Sequence, residues 1–227
     1  MGGKEKISDG IKIEAVTVCI DYASYLKETI THNKEFFDRW VVVTLPRDRE
    51  TISLCEENDI EYVFSKRIYE DGAMFAKGKA VNEGLAHCDR DGWLVQLDAD
   101  TRLLPGFAKA LDRPLNTMAI YGLAGRYLIE SKTKLKEFEE LGSAGEISTD
   151  QMEHCRWLVG FFQMWHSNCI DKYSEQGTTA GLDDNLFLNY FGFHEFLHTF
   201  ALHLGPMMIN HDGIEAKEFT MGKWNDR

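Results

Sequence analysis

A chain of 227 residues with 44% hydrophobic side chains can bury one ordinary core, and its five widely spaced cysteines, with no C-x-x-C pair, argue against zinc or dithiol redox chemistry and predict reduced thiols. The polar segment Met1 to Gly10 and the lack of any run near the roughly 18 apolar residues of a membrane span predict a soluble, cytoplasmic protein without membrane association. A formal charge of −12 repels polyanions, so nucleic acid would need a local basic patch, for which Lys66, Arg67, Lys77 and Lys79, then Lys132, Lys134 and Lys136, are the candidates.

From Ile11 to Leu104 apolar β-rich runs alternate with amphipathic segments, which predicts parallel strands joined by crossover helices. Ala15 to Ile20 is the first strand, and Ser24 is placed to cap a helix carrying Tyr25, Leu26 and Ile30. Trp40 to Leu45 forms the second strand, Pro46 ends it, and Arg49 to Asn58 forms a helix with Ile52, Leu54 and Cys55 inward. Glu61 to Phe64 is a short third strand, followed by a loop holding Asp71 and Gly72 and a small helix from Gly78 to His87. Trp93 to Leu97 is nearly all apolar, as expected of a strand covered on both faces.

The second half is less regular. Ala119 to Ile129 and Trp157 to Trp165 read as strands, separated by a charged stretch, Glu130 to Gln151, of helix and loop. The aromatics of the second run read mainly as core, with sugar stacking the lesser alternative. Asp184 to Phe191 reads as a helix, and Phe200 to Leu204 with Met207 to Ile209 as strand-like segments. No internal repeat or linker divides the chain, which predicts a single domain, residues 1–227, with halves 11–112 and 113–227.

Asp98 and Asp100 follow directly on the buried strand, where ligands of open α/β sheets gather. In extended geometry both carboxylates face one site, and two adjacent anions in a crevice call for a hard cation such as Mg²⁺ or Mn²⁺ shared with phosphate oxygens. A D-x-D alone also fits a solvated turn.

The run W-L-V-Q-L-D-A-D-T-R-L-L-P-G-F resembles the D-x-D segment of GT-A-type glycosyltransferases, particularly family-2-like members, and F-A-K-G-K-A-V-N-E-G (Phe75 to Gly84) is similar to the helix before it. The resemblance implies a GT-A-like open, mostly parallel sheet flanked by helices, with 11–112 binding a nucleotide-sugar, UDP-linked by expectation, and 113–227 binding an acceptor. It implies Asp98 and Asp100 at the metal, Gly78 allowing close backbone approach, Lys77 or Lys79 at the diphosphate, Asn82 facing the metal strand, and Asp21 and Tyr22 after the first strand at base and ribose, with Thr44 and Asp48 near the same edge. In T-T-A-G-L-D-D-N-L-F the pair Asp183 and Asp184 resembles the acidic pair beneath the acceptor; Asp184 is the choice for general base, and a helix cap is the equal alternative for either. A-L-H-L-G-P-M-M-I-N-H-D-G is similar to the late segment completing the metal site, with His203 as third ligand and His211 as rival, and imidazole favours Mn²⁺. The implied reaction is metal-dependent transfer of a sugar to a hydroxyl of a glycan, a small molecule or a hydroxymethylated DNA base. A haloacid-dehalogenase-like phosphatase fits less well because three strand units precede the aspartates. A nucleotidyltransferase and a non-catalytic nucleotide-sugar-binding module remain as alternatives.

Overall fold

A computed structural model of the chain describes residues 11–142 and 152–205. The first half alternates strands and helices: β1 (Ile13–Val18), α1 (Ala23–Asn33), β2 (Arg39–Thr44), α2 (Arg49–Glu57), β3 (Glu61–Phe64), α3 (Lys77–Leu85) and β4 (Trp93–Leu97). These strands pair in parallel in the order β3-β2-β1-β4. Strand periodicity splits the core between the two faces. Ile13, Ala15, Val42 and Val95 pack with Leu26 and Ile30 of α1 and Cys55 of α2, whereas Val16, Val41, Val43 and Leu94 pack with Ala80, Val81 and Leu85 of α3. Glu14, fully buried within β1, is satisfied by the backbone N–H groups of Asp89 and Arg90 at 2.9 and 2.7 Å. All five cysteines are free thiols.

The second half adds β5 (Thr101–Leu103), α4 (Gly106–Ala110), β6 (Ala119–Ile129), α5 (Lys132–Gly142), β7 (Met152–His154), β8 (Phe162–His166), α6 (Ala180–Leu188) and β9 (Phe193–Leu204). The sheet continues β4-β8-β6-β9-β5, with β7 on β6, and the pairing becomes mixed: β8 runs antiparallel to β4 and β6, β9 parallel to β6, and β5 antiparallel to β9.

This order forces curvature. From β4 to β5 there are four inter-strand steps, about 19 Å across a flat sheet at about 4.8 Å each. Leu97 and Thr101 are joined by four residue steps, which reach at most about 15 Å. The far half of the sheet therefore curls back over the end of β4, and the Asp98–Asp100 turn is the strap between the two halves.

Several boundaries differ from the sequence expectation. The helix α1 starts at Ala23 with Tyr22 in the cap position, so Ser24 lies in its first turn. The expected Trp157 to Trp165 strand is instead Phe162–His166, because Leu158 and Phe161 bury as loop anchors and Trp157 turns outward. The helix α6 starts at Ala180 after Thr179, which puts Asp183 and Asp184 inside it rather than at its cap. Phe200 to Leu204 is the end of the longer β9, and Met207 to Ile209 lies outside the described residues. No helix among the described residues is long and apolar enough to cross a membrane.

Candidate active site

The strand β4 ends in a tight turn. The Asp98 N–H donates to the Phe161 carbonyl at 3.0 Å, and the Thr101 N–H returns to the Asp98 carbonyl at 3.1 Å. The two carboxylates thus sit on a turn rather than on extended backbone, yet both line one cleft of about 850 Å³. Register brings His203 to the same place: it lies opposite Thr101 in the β5–β9 pair, and the Leu204 N–H donates to the Asp100 carbonyl at 2.8 Å. Asp100 accepts from the Tyr22 hydroxyl at 3.2 Å through Oδ2. Among the described residues its Oδ1 has no hydrogen-bond partner, and it lies 4.0 Å from His203 Nε2, while His203 Nδ1 is also buried without a partner among them. Burial raises the Asp100 carboxyl above its ordinary pKa, opposed by His203 and reinforced by Asp98.

Asp98 is held differently. Its Oδ1 accepts from Lys77 Nζ and from Gln96 Nε2, each at 2.7 Å. Lys77, the first residue of α3, is buried and also donates to Asp184 at 2.9 Å and to the Gly160 carbonyl at 3.3 Å. Burial acts to lower the ammonium pKa, but Asp184 and Asp98 outweigh it and hold it above its ordinary value. Asp184 is pushed up to about 6, first by burial, against the pull of Lys77. Its Oδ1 accepts from the Tyr173 hydroxyl at 2.7 Å, and Tyr173 also contacts Gln163 Oε1, whose residue pairs with Gln96 across β4 and β8. A Cβ on Gly160 would come within 1.9 Å of Asp184 Oδ2, so glycine there admits the carboxylate.

The sequence candidates fall into two groups. Asp21, Tyr22, Lys77, Asp98, Asp100, Asp184 and His203 all line the cleft. Asp21 adopts a left-handed φ of 53° and pairs with Arg47 at 2.6 Å; one face of Tyr22 is stacked on Tyr25 at 4.1 Å. Thr44, Lys79, Asn82 and Asp183 do not line it. Thr44 is buried and donates to Asp48, which caps α2 through Thr51 N–H. Lys79 pairs with Glu70 and Asp71 at 2.8 and 2.9 Å. Instead of facing the metal strand, Asn82 exchanges hydrogen bonds with the Tyr173 backbone and binds Glu175. Gly78 admits backbone as expected, but that of Ser174 rather than a diphosphate. Asp183 accepts from the N–H of Gly78 at 2.8 Å and of Gly177 at 2.7 Å, so it caps the start of α3 from another helix.

The expected metal ligands Asp98, Asp100 and His203 all line the cleft. Among the described residues no group of three or more His, Cys, Asp or Glu is placed to hold a metal ion. Asp98 is instead paired with Lys77 at 2.7 Å. What fits a divalent cation is the unpartnered Asp100 Oδ1 with the His203 imidazole, whose 4.0 Å separation two bonds of about 2.1 Å can span. His211 lies outside the described residues. Gln96, Gln163, Tyr173 and Gly160 were missed at the sequence level; the available signal was a glutamine in the middle of each of two apolar strands.

Neither a protein-family model nor a curated protein sequence matches the chain. Solved structures do match. Mannosyl-3-phosphoglycerate synthase from Rubrobacter xylanophilus is similar at 14% identity and a TM-score of 0.51, over 92% of this chain and 72% of that one. Glucosyl-3-phosphoglycerate synthase from Mycobacterium tuberculosis, in complex with Mn²⁺, UDP-glucose and phosphoglyceric acid, is similar at 13% identity and a TM-score of 0.50, over 90% of this chain and 76% of that one. At such identities the likeness is one of fold, and the GT-A-like α/β architecture expected from the sequence is borne out.

Proposed function

We propose that the chain is a metal-dependent glycosyltransferase that moves a hexose from a UDP-sugar to an acceptor hydroxyl. The observation that carries this reading is a single cleft joining an unsaturated Asp100–His203 pair to the buried Lys77–Asp184 pair. The fold it shares with structures holding Mn²⁺ and UDP-glucose supports the donor class. Asp100 and His203 would hold the cation, with Mn²⁺ favoured by the imidazole. When bound, the cation supplies positive charge to the diphosphate and stabilises the departing nucleotide.

The chain's own residues do the rest. Asp21 and Tyr22 line the cleft and would meet the nucleoside. Lys77 has its donors on Asp98, Asp184 and Gly160, so it orders the carboxylates rather than meeting phosphate directly. The acceptor oxygen attacks C1, the bond from C1 to the diphosphate oxygen breaks with its electron pair leaving on UDP, and Asp184 receives the acceptor proton. A modified DNA base as acceptor is disfavoured because Lys132 and Lys134 are paired with Glu28 and Glu137.

UDP at 100 times its Kd should stabilise the protein by about 2.7 kcal/mol, a rise in Tm of about 5 to 10 °C, and only with Mn²⁺ or Mg²⁺ present. Thermal denaturation with and without chelator measures this, and Asp100→Asn should abolish the shift. An equal shift without metal would overturn the metal role. Hexose release from UDP-hexose separates the transferase from a binding module, and release of pyrophosphate from UTP would indicate the nucleotidyltransferase.

A further inference from the structure

The loop between β7 and β8 carries a feature that donor chemistry does not use. Trp157 is 71% exposed, whereas Trp165 at the other end of the same aromatic run is fully buried. Such exposure is unusual for an indole, most of whose surface is apolar. Nor is the loop loose at this point. Leu158 is buried and wedged onto Gly122 of β6, where an added Cβ would meet its Cδ2 at 2.6 Å, and Phe161 is buried beside the D-x-D turn. The indole is held out by a fixed backbone.

Trp157 also occupies a particular place. Together with Arg156, Leu158 and Asn185 it borders both the main cleft and a second depression of about 610 Å³. The two therefore share a wall at the indole. Beyond it the depression has Leu188 and Phe196 as apolar surface and Asn189 and His194 as polar groups. Asn185 follows Asp184 on α6, so the groove starts beside the proposed base. Its amide NH₂ donates to the Gly181 carbonyl, which leaves its own oxygen available to accept.

An aromatic plate followed by amides over apolar patches suits a chain of sugar units, whose C–H faces stack and whose hydroxyl edges exchange hydrogen bonds. A polyanion suits it poorly, since among the described residues bordering the depression Arg156 is the only Lys or Arg.

We propose that the acceptor is an oligosaccharide, with its reacting unit at Asp184, its next unit stacked on Trp157 and its continuation in the depression beyond. This rests on the transferase reading, whose substrate class it names. The test uses the full chain with an array of immobilised oligosaccharides covering neutral hexose, N-acetylhexosamine and uronic chains, then titration of the best binder at one, two and four units, beside 3-phosphoglycerate. The tetrasaccharide should bind at least tenfold more tightly than the monosaccharide. Trp157→Ala should erase that gain, and Asn189→Ala should weaken the tetrasaccharide about fivefold while leaving the disaccharide unchanged. Binding that ignores length, binding untouched by Trp157→Ala, or capture of 3-phosphoglycerate with no oligosaccharide overturns the proposal. Wild-type hydrolysis of UDP-hexose is scored separately. Hydrolysis without oligosaccharide binding sinks the groove and spares the transferase, and length-dependent binding without hydrolysis does the reverse.

Discussion

Lys77 donates to Asp98 and Asp184 at 2.7 and 2.9 Å in a place where water hardly reaches. Both carboxylates are paired with that ammonium, and removing it leaves the buried Asp184 charge uncompensated. Lys77→Met should therefore cost about 3 to 5 kcal/mol in denaturant unfolding. The same pair sets the pH response. With Asp184 near 6 and acting as a base in its ionised form, kcat/KM of transfer should fall as pH drops through about 6. Loss of the Lys77 charge disfavours the carboxylate, so in Lys77→Met this acidic limb should move to higher pH. A limb that stays in place would mean that another group carries the proton. Asp98 and Asp100 were legible as candidates in the sequence because a strand end is a local signal, whereas Asp184 was picked out by its motif and not by the helix start, which lies at Ala180. The tie between Lys77 and Asp184 was not legible, since it depends on α6 folding back against α3.

At the scale of elements, the segment before α6 is clamped onto α3 by groups of several kinds. Asn82 exchanges hydrogen bonds with the Tyr173 backbone, Arg67 makes a two-pronged pair with Glu175, and Asp183 accepts from Gly78 and Gly177. Gly78 is the close point of this clamp, because a Cβ there would fall 1.5 Å from the Ser174 carbonyl oxygen. Backbone must part to admit it. Gly78→Ala should thus lose more than about 2 kcal/mol of stability in denaturant titration and weaken the UDP response, although alanine is the better helix former. A neutral or stabilising result would mean that the clamp is not closed in solution. The sequence revealed β1 to β4 closely because alternation of apolar strand and amphipathic helix is unbroken there. It hid β5, three residues long, and understated β9, whose first residues are largely exposed and so lack an apolar run. Turn chemistry in residues 155–161, not periodicity, decided where β8 begins.

Across the whole molecule, the candidate site is a seam. Tyr22 follows β1, Lys77 opens α3, Asp98 and Asp100 strap β4 to β5, Asp184 lies on α6, and His203 ends β9. The curl of the sheet is what closes this seam, because β5 pairs with β9 on the far side of β8 and β6 and still begins with only three residues between it and β4. A ligand that joins Asp100 to His203 therefore ties the β4–β5 strap to the end of β9. UDP with Mn²⁺ at 100 times the Kd should slow amide exchange in β5 and the last turns of β9 together with the D-x-D turn, by up to about 100-fold where exchange needs global opening. Asp100→Asn should remove that joint protection. Protection limited to β1 and α3 would place the donor on the first half alone, and the cation pair at Asp100 and His203 would lose its role as the closure of the fold.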